Sequence, residues 1–161
     1  MDKNLALEFV RVTEAAAVAA AKWMGRGDKI AADKAAVDAM RKYFQYAEFS
    51  GQIVIGEGEK DEAPELYIGE KLGTGKGKAV DIAVDPLENT NATANLTPRA
   101  IAVLAAAEKG GLFHAPDMYM SKLIVGHQAV DKVNIDYEPG KNVEILAKAL
   151  NRHVEDLVSY S

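Results

Sequence analysis

The chain has 161 residues, 48% of them hydrophobic and 27% charged, with a formal net charge of −5 and no cysteine. That composition is that of a globular chain with a core of its own. It excludes disulfides and thiolate metal sites, and the acidic balance argues against a nucleic-acid partner, because phosphates want a basic face.

Asp2, Lys3, Glu8 and Arg11 interrupt the apolar residues of the N-terminus, so it does not read as a signal peptide. No apolar run is long enough to span a bilayer. The lack of cysteine fits a reducing compartment, and a cytoplasmic location is expected. No internal repeat is visible, and one α/β domain over residues 1–161 is expected. The two glycosylation sequons at Asn91 and Asn95 are read as accidental.

Residues 3–24 read as an amphipathic helix, with Leu5, Phe9, Val12, Ala16, Ala19, Ala20 and Trp23 at helical spacing. Gly25-Arg26-Gly27 ends it. A second helix is expected from Ile30 to about Tyr46, with Ala32, Ala36, Val37 and Met40 inward. Asp33 is placed in its first turn, where the helix dipole favours an acid. Gly51–Gly56 reads as a short buried strand that runs into Glu57-Gly58-Glu59-Lys60-Asp61-Glu62. Glycines there allow a ligand to approach the backbone. Leu66–Glu70 reads as a further strand. Gly73–Lys78 is not a Walker loop, because Lys76 is followed by glycine rather than Ser or Thr. It reads as a hairpin-like loop.

The stretch from Val80 to Thr90 organises the rest. Its apolar, β-branched start is a buried strand. Pro86 has no N–H for a ladder, so the strand is expected to stop at Asp85-Pro86. Asp85 and Glu88 then stand three residues apart beside the Thr90 hydroxyl, at a strand end of the kind that builds sites in α/β proteins. Residues 91–98 are polar and poorly periodic. Ala100–Ala107 is expected to be a buried strand, turning at Glu108–Gly111 to pair with Leu112–His114. Asp117–Lys122 reads as helical. Lys141–Leu150 reads as an amphipathic helix with Asn151 as its C-cap, followed by a short helical turn at Val154–Leu157. Val158–Tyr160 reads as the start of a strand. His114, His127 and His153 carry no ligand spacing.

If Asp33, the Glu57–Asp61 loop and Asp85/Glu88 converge, their like charges raise one another's pKa until a cation neutralises them. Carboxylate oxygens without histidine or cysteine favour Mg²⁺ or Mn²⁺ over zinc. Such ions orient water and stabilise a departing oxygen in phosphoryl chemistry.

The motifs at Trp23–Lys29, Ile53–Glu59, Leu66–Lys71, Ala79–Glu88 and Ala115–Met120 resemble the class II (GlpX-type) fructose-1,6-bisphosphatases. The resemblance runs from about Leu5 to Gly126 and weakens beyond. Asp-Pro-x-Glu alone marks only the wider lithium-sensitive sugar and inositol phosphatase superfamily. The resemblance implies an α/β fold, the layered sugar-phosphatase fold, with paired helices on a mixed sheet. It implies hydrolysis of the 1-phosphate of fructose 1,6-bisphosphate with Mn²⁺ or Mg²⁺, some members also taking sedoheptulose 1,7-bisphosphate. By the same resemblance Asp33, Glu57, Asp85 and Glu88 are metal ligands. Thr90, Asp61 and Lys29 position water and phosphate, and Glu88, Asn89, Thr90 and Tyr119 contact substrate. A homo-oligomer is implied as well.

Three departures stand out. Asn89 and Asn91 occupy positions where the family usually has glycine and arginine. Asparagine tolerates left-handed backbone, but its side chain crowds a phosphate, so weaker substrate binding or changed specificity is expected. The family's C-terminal half, with a further acidic ligand and most of the basic residues for the second phosphate, has no counterpart here. The alternative reading is a truncated or non-catalytic homologue that keeps a cation site or an oligomerisation role.

Overall fold

Apolar residues at helical spacing produce two paired helices, and these cover one face of a sheet. In the computed structural model, which describes residues 3–56, 66–115 and 120–158, α1 (Lys3–Ala21) buries Leu5, Phe9, Val12, Ala16 and Ala20. The second helix, α2 (Lys29–Phe44), buries Ala32, Ala36, Val37, Met40 and Phe44. The alanines on both inner stripes let the helix axes come close. Asp28 caps α2 by accepting the Ala31 N–H at 2.9 Å. Phe9, Phe44 and Phe49 meet edge to face, with centroids 5.2 to 6.4 Å apart, the arrangement that ring quadrupoles prefer.

The sheet has four strands in the order β2-β1-β3-β4: β1 (Ser50–Ile55), β2 (Lys71–Leu72), β3 (Ala79–Glu88) and β4 (Ile101–Glu108). β1 and β3 are parallel, whereas β2 and β4 run antiparallel to their neighbours. Ile53, Val80, Ile82 and Val84 face the helices and join their core. A short helix, α3 (Thr90–Ala94), lies between β3 and β4.

Two compact units divide the chain, residues 1–117 and 118–161. The sheet, α1 to α3 and the described candidate residues belong to the first. The second contains α4 (Pro139–Leu150) between two 3₁₀ turns, His127–Ala129 and Val154–Asp156. Proline at the first position of α4 needs no N–H partner there. Asn151 ends the helix in left-handed backbone, φ 52°. Asn142 holds the preceding loop through both its amide atoms, accepting the Asn134 N–H at 3.1 Å and donating to the Asn134 carbonyl at 2.8 Å.

Several expectations from the sequence are corrected here. Pro86 does not end β3, which continues to Glu88. Asp85 pairs with Val103 and Glu88 with Ile101, so β3 takes three steps where β4 takes two. The extra residue is a bulge, one of the few places a sheet accepts proline. Leu66–Glu70 is a turn rather than a strand, with left-handed backbone at Leu66 and Gly69, and pairing begins only at Lys71. The Gly73–Lys78 loop does not join neighbouring strands, since β1 lies between β2 and β3. β4 is a strand, as expected, but it lies at the sheet edge and is not buried: Ile101 and Val103 are exposed. Leu112–His114 forms no strand, and Phe113 is exposed. Residues 120–122 are not helical, and residues 117–119 of that expected helix lie outside the described residues. Of the polar, poorly periodic stretch 91–98, residues 91–94 are helical and continue α3 from Thr90, whereas 95–98 are not.

Candidate metal and phosphate site

The candidate site is built at the C-terminal end of β3. Asp85 uses its own side chain to replace the ladder bond that Pro86 interrupts: its Oδ1 accepts the Leu87 N–H at 3.0 Å. This is an Asx turn, a local alternative to sheet pairing. The turn carries Glu88 to the exposed strand end and feeds the chain into α3.

Asp85 is half-buried and its carboxyl is pushed up to about 6. Burial is the largest cause, followed by a side-chain hydrogen bond with Glu88 and by the charge of Glu88. Asp33 adds a further repulsion, and the Leu87 N–H opposes all of these. Three carboxylates from two distant segments are therefore electrostatically coupled. Asp33 is half-buried, and its Oδ1 is closed off from solvent. The helix begins at Lys29, so Asp33 lies one residue further in than expected, just past a first turn that contains no acid. The dipole explanation for Asp33 loses force, because the dipole acts within the first turn.

Asn89 adopts φ 66° and ψ 58° and serves as N-cap of α3. Its Oδ1 accepts the Ala92 N–H at 3.1 Å, and its Nδ2 donates to the Arg99 carbonyl at 3.4 Å. The left-handed turn expected of asparagine is present. Thr90, half-buried, is the first residue of α3, and Asn91 is exposed beside it. Lys29 is exposed at the start of α2, one turn before Asp33. Glu57, Asp61 and Tyr119 lie outside the described residues.

The donor chemistry fits a hard divalent cation. All the coupled groups are carboxylates, and the raised carboxyl of Asp85 marks a crowding of negative charge that such a cation relieves. Among the described residues, no group of three or more His, Cys, Asp or Glu is placed to hold a metal ion. Asp33, Asp85 and Glu88 are coupled by charge, but they do not make such a group.

A family model for the bacterial fructose-1,6-bisphosphatases, glpX-encoded, matches residues 3–160. The chain belongs to this family. The match continues past Gly126, where the motif resemblance weakens. "Fructose-1,6-bisphosphatase 1 class 2" of Escherichia coli (strain K12) is 54% identical over 157 residues, covering 98% of this chain and 47% of that protein. "D-fructose 1,6-bisphosphatase class 2/sedoheptulose 1,7-bisphosphatase" of Synechococcus sp. (strain JA-2-3B'a(2-13)) is 50% identical over 169 residues, covering 98% and 49%. "Fructose-1,6-bisphosphatase class 2" of Haemophilus influenzae is 50% identical over 157 residues, covering 98% and 47%. The chain thus spans about half the length of the curated relatives it matches.

Two contacts of the fold, one of them at the site, have no sequence motif. Arg99 holds Asn89 through its main-chain carbonyl, which no side-chain pattern announces. Arg41 binds Glu70 with two hydrogen bonds of 2.9 Å, tying α2 to the turn before β2. A charged residue on an otherwise amphipathic helix gives no hint of a partner 29 positions away.

Proposed function

We propose that this chain contributes the catalytic half-site of a sugar bisphosphatase that hydrolyses the 1-phosphate of fructose 1,6-bisphosphate, with sedoheptulose 1,7-bisphosphate as a second substrate. The observation that carries the reading is the coupling of Asp33, Asp85 and Glu88 at the end of β3, with Asp85 pushed up to about 6, in a chain of this family. Asp33, Glu57, Asp85 and Glu88 are the residues that would hold Mg²⁺ or Mn²⁺. When bound, such an ion neutralises phosphate charge and makes a bound water more acidic.

The chain's own residues do the positioning. The Thr90 hydroxyl, at the start of α3, orients the attacking water, with Asp61 as its second partner. Lys29 steadies the transferring phosphoryl group by charge. Glu88 and Asn89 border the phosphate, and Tyr119 contacts the sugar. The water oxygen bonds to phosphorus as the bond to the C1 oxygen breaks, and the sugar alcohol leaves with a proton. No covalent enzyme intermediate is needed, because positioning and charge neutralisation account for the chemistry.

A second reading is favoured by Asn89. Its Oδ1 already occupies the Ala92 N–H at the start of α3, which leaves that donor less free for a phosphate. The second reading is a homologue that binds a cation without turnover. Phosphate release from fructose 1,6-bisphosphate with Mn²⁺ or Mg²⁺, measured beside Asp85→Ala, separates the two. Metal-dependent release that falls at least about 100-fold in the variant supports the phosphatase. Metal binding that Asp85→Ala abolishes, without any release from the parent, supports the second reading.

Self-association through exposed apolar surface on β4, including Ile101 and Val103, and a cytoplasmic location complete the proposal. No helix among the described residues is long and apolar enough to cross a membrane.

A further inference from the structure

Behind the Asp85–Thr90 turn lies a half-open cavity of about 240 Å³. Its walls include Ala20 from the end of α1, Met24 from the turn after it, Leu87 from the bulge of β3, Thr93 from α3 and Ala102 from β4. Arg99 is the one charged residue among them. The catalytic part of the phosphatase reading does not use this space, although Ile101, which also lines it, belongs to the β4 surface proposed for self-association. Three features make it more than a packing gap.

The first is size. A dry cavity of about 150 Å³ already accepts benzene, so this one has room for a substituted ring. The second is the loop that roofs it. Leu96 and Arg99 both adopt left-handed backbone, φ 57° and 79°. Non-glycine residues pay for that geometry, and such strain gathers at ligand clamps and switch regions. The third is the connection to the candidate site. Leu87 lies between Asp85 and Glu88, Thr93 lies inside α3, and the Arg99 carbonyl accepts the Asn89 amide. An occupant would therefore touch the back of the turn whose front carries the acids.

We propose that this cavity binds a small carboxylate with a ring-sized apolar body, the ring among the alanines, Met24 and Leu87 and the carboxylate paired with Arg99. Apolar walls with a single cation among them select that class: a neutral ring forgoes the charge-assisted bond, and a fully polar anion leaves the walls dry and unfilled. Glu88, paired with Ile101 in the sheet, is not among the walls. The proposal stands apart from the phosphatase reading, since binding is read without turnover.

The test uses the full chain, ¹⁵N-labelled, titrated with benzoate and, separately, with benzyl alcohol as the uncharged counterpart. Saturable shifts are expected at Leu87, Thr93 and Ala102, and at Glu88 to Thr90 through the shared turn. Benzoate should bind with a dissociation constant of about a millimolar, as its few heavy atoms allow. Arg99→Gln should weaken benzoate about fivefold to tenfold and leave benzyl alcohol unchanged. Ala17→Leu, which fills the cavity from an exposed position on α1, should abolish binding of both, with its spectrum reporting a folded chain. If that variant fails to fold, Ala102→Leu fills the same space from β4. Absence of saturation overturns the proposal. So do shifts confined to other residues, benzoate binding that ignores Arg99→Gln, and unchanged binding in a folded cavity-filled variant.

Discussion

Asp81 and Asp85 stand four residues apart on one strand, and they do opposite things. Asp81 is 4% exposed, deeper than Asp85, yet it is satisfied: its Oδ2 accepts the Gly110 N–H at 2.7 Å. It lies where β3 pairs regularly on both sides and closes the turn after β4. Asp85 lies at the bulge, shares a hydrogen bond with Glu88 and faces the charge of Asp33. One carboxylate was placed to finish the fold, the other to hold charge in excess. Depth of burial does not separate a structural acid from a functional one. What separates them is whether the surrounding chain supplies donors or more acids.

That contrast can be broken from either side. The largest effect on stability should come from Asp81→Ala, which leaves the Gly110 N–H without its acceptor. A loss of about 2 kcal/mol is expected from a part-buried donor left unpaired. Urea unfolding would register it, together with faster amide exchange at Gly110. If the midpoint stays put, Asp81 is not the structural member of the pair.

Asp85→Asn should act in the other direction. Folding raises the Asp85 pKa from 3.8 to about 6, so the folded chain binds the proton more tightly than the unfolded one. Stability tied to that proton is complete below about pH 4 and is lost as the pH climbs through about 6. Without metal, the parent should thus weaken between pH 4 and 7. The amide variant, which never ionises, should not share that component of the decline. At pH 8 it should be the more stable by about 1 kcal/mol, a value discounted for the solvent that reaches a half-buried group. Thermal unfolding across this range checks the sign, and parallel curves for the two proteins would remove Asp85 from the account.

The smallest change is expected from Asn89→Gly. Glycine keeps the left-handed turn and gives up the cap, which costs a few tenths of a kcal/mol, together with the long bond to the Arg99 carbonyl. Stability should barely move. The substrate KM should fall if the side chain crowds the phosphate, and an unchanged KM would dispose of that explanation for the departure.

Much of this arrangement could be read before any coordinates. Phe9, Val12 and Ala16 repeat at helical spacing, and Ile82 and Val84 mark a buried strand. Each repeats one local signal several times. Asn151 was legible as a C-cap because its left-handed tolerance is intrinsic. The coupling of Asp33 to Asp85 was visible only as a condition, since no spacing brings residue 33 to residue 85. The sequence hides the Pro86 bulge, because an Asx turn rescues the strand from outside the ladder. The five residues of α3 are too few to show a period. β4 looked buried because Ile101–Ala107 is uniformly apolar, and no composition distinguishes a central strand from an edge. Glu57, Asp61 and Tyr119 remain assignments by resemblance.

The glycines between β2 and β3 carry a different sort of information. Gly73 and Gly77 both have positive φ, 82° and 88°. A Cβ on Gly73 would overlap the Phe49 carbonyl oxygen, and one on Gly77 would come within 2.8 Å of the Glu48 carbonyl oxygen. In each case the obstacle is main chain, which cannot rotate aside as a side chain can. Gly75, between them, meets nothing within 4 Å. Neutral drift should therefore treat these three identical letters unequally. At Gly75 a residue that tolerates left-handed backbone can enter, whereas at Gly73 and Gly77 the chain has spent its freedom on the missing atom itself.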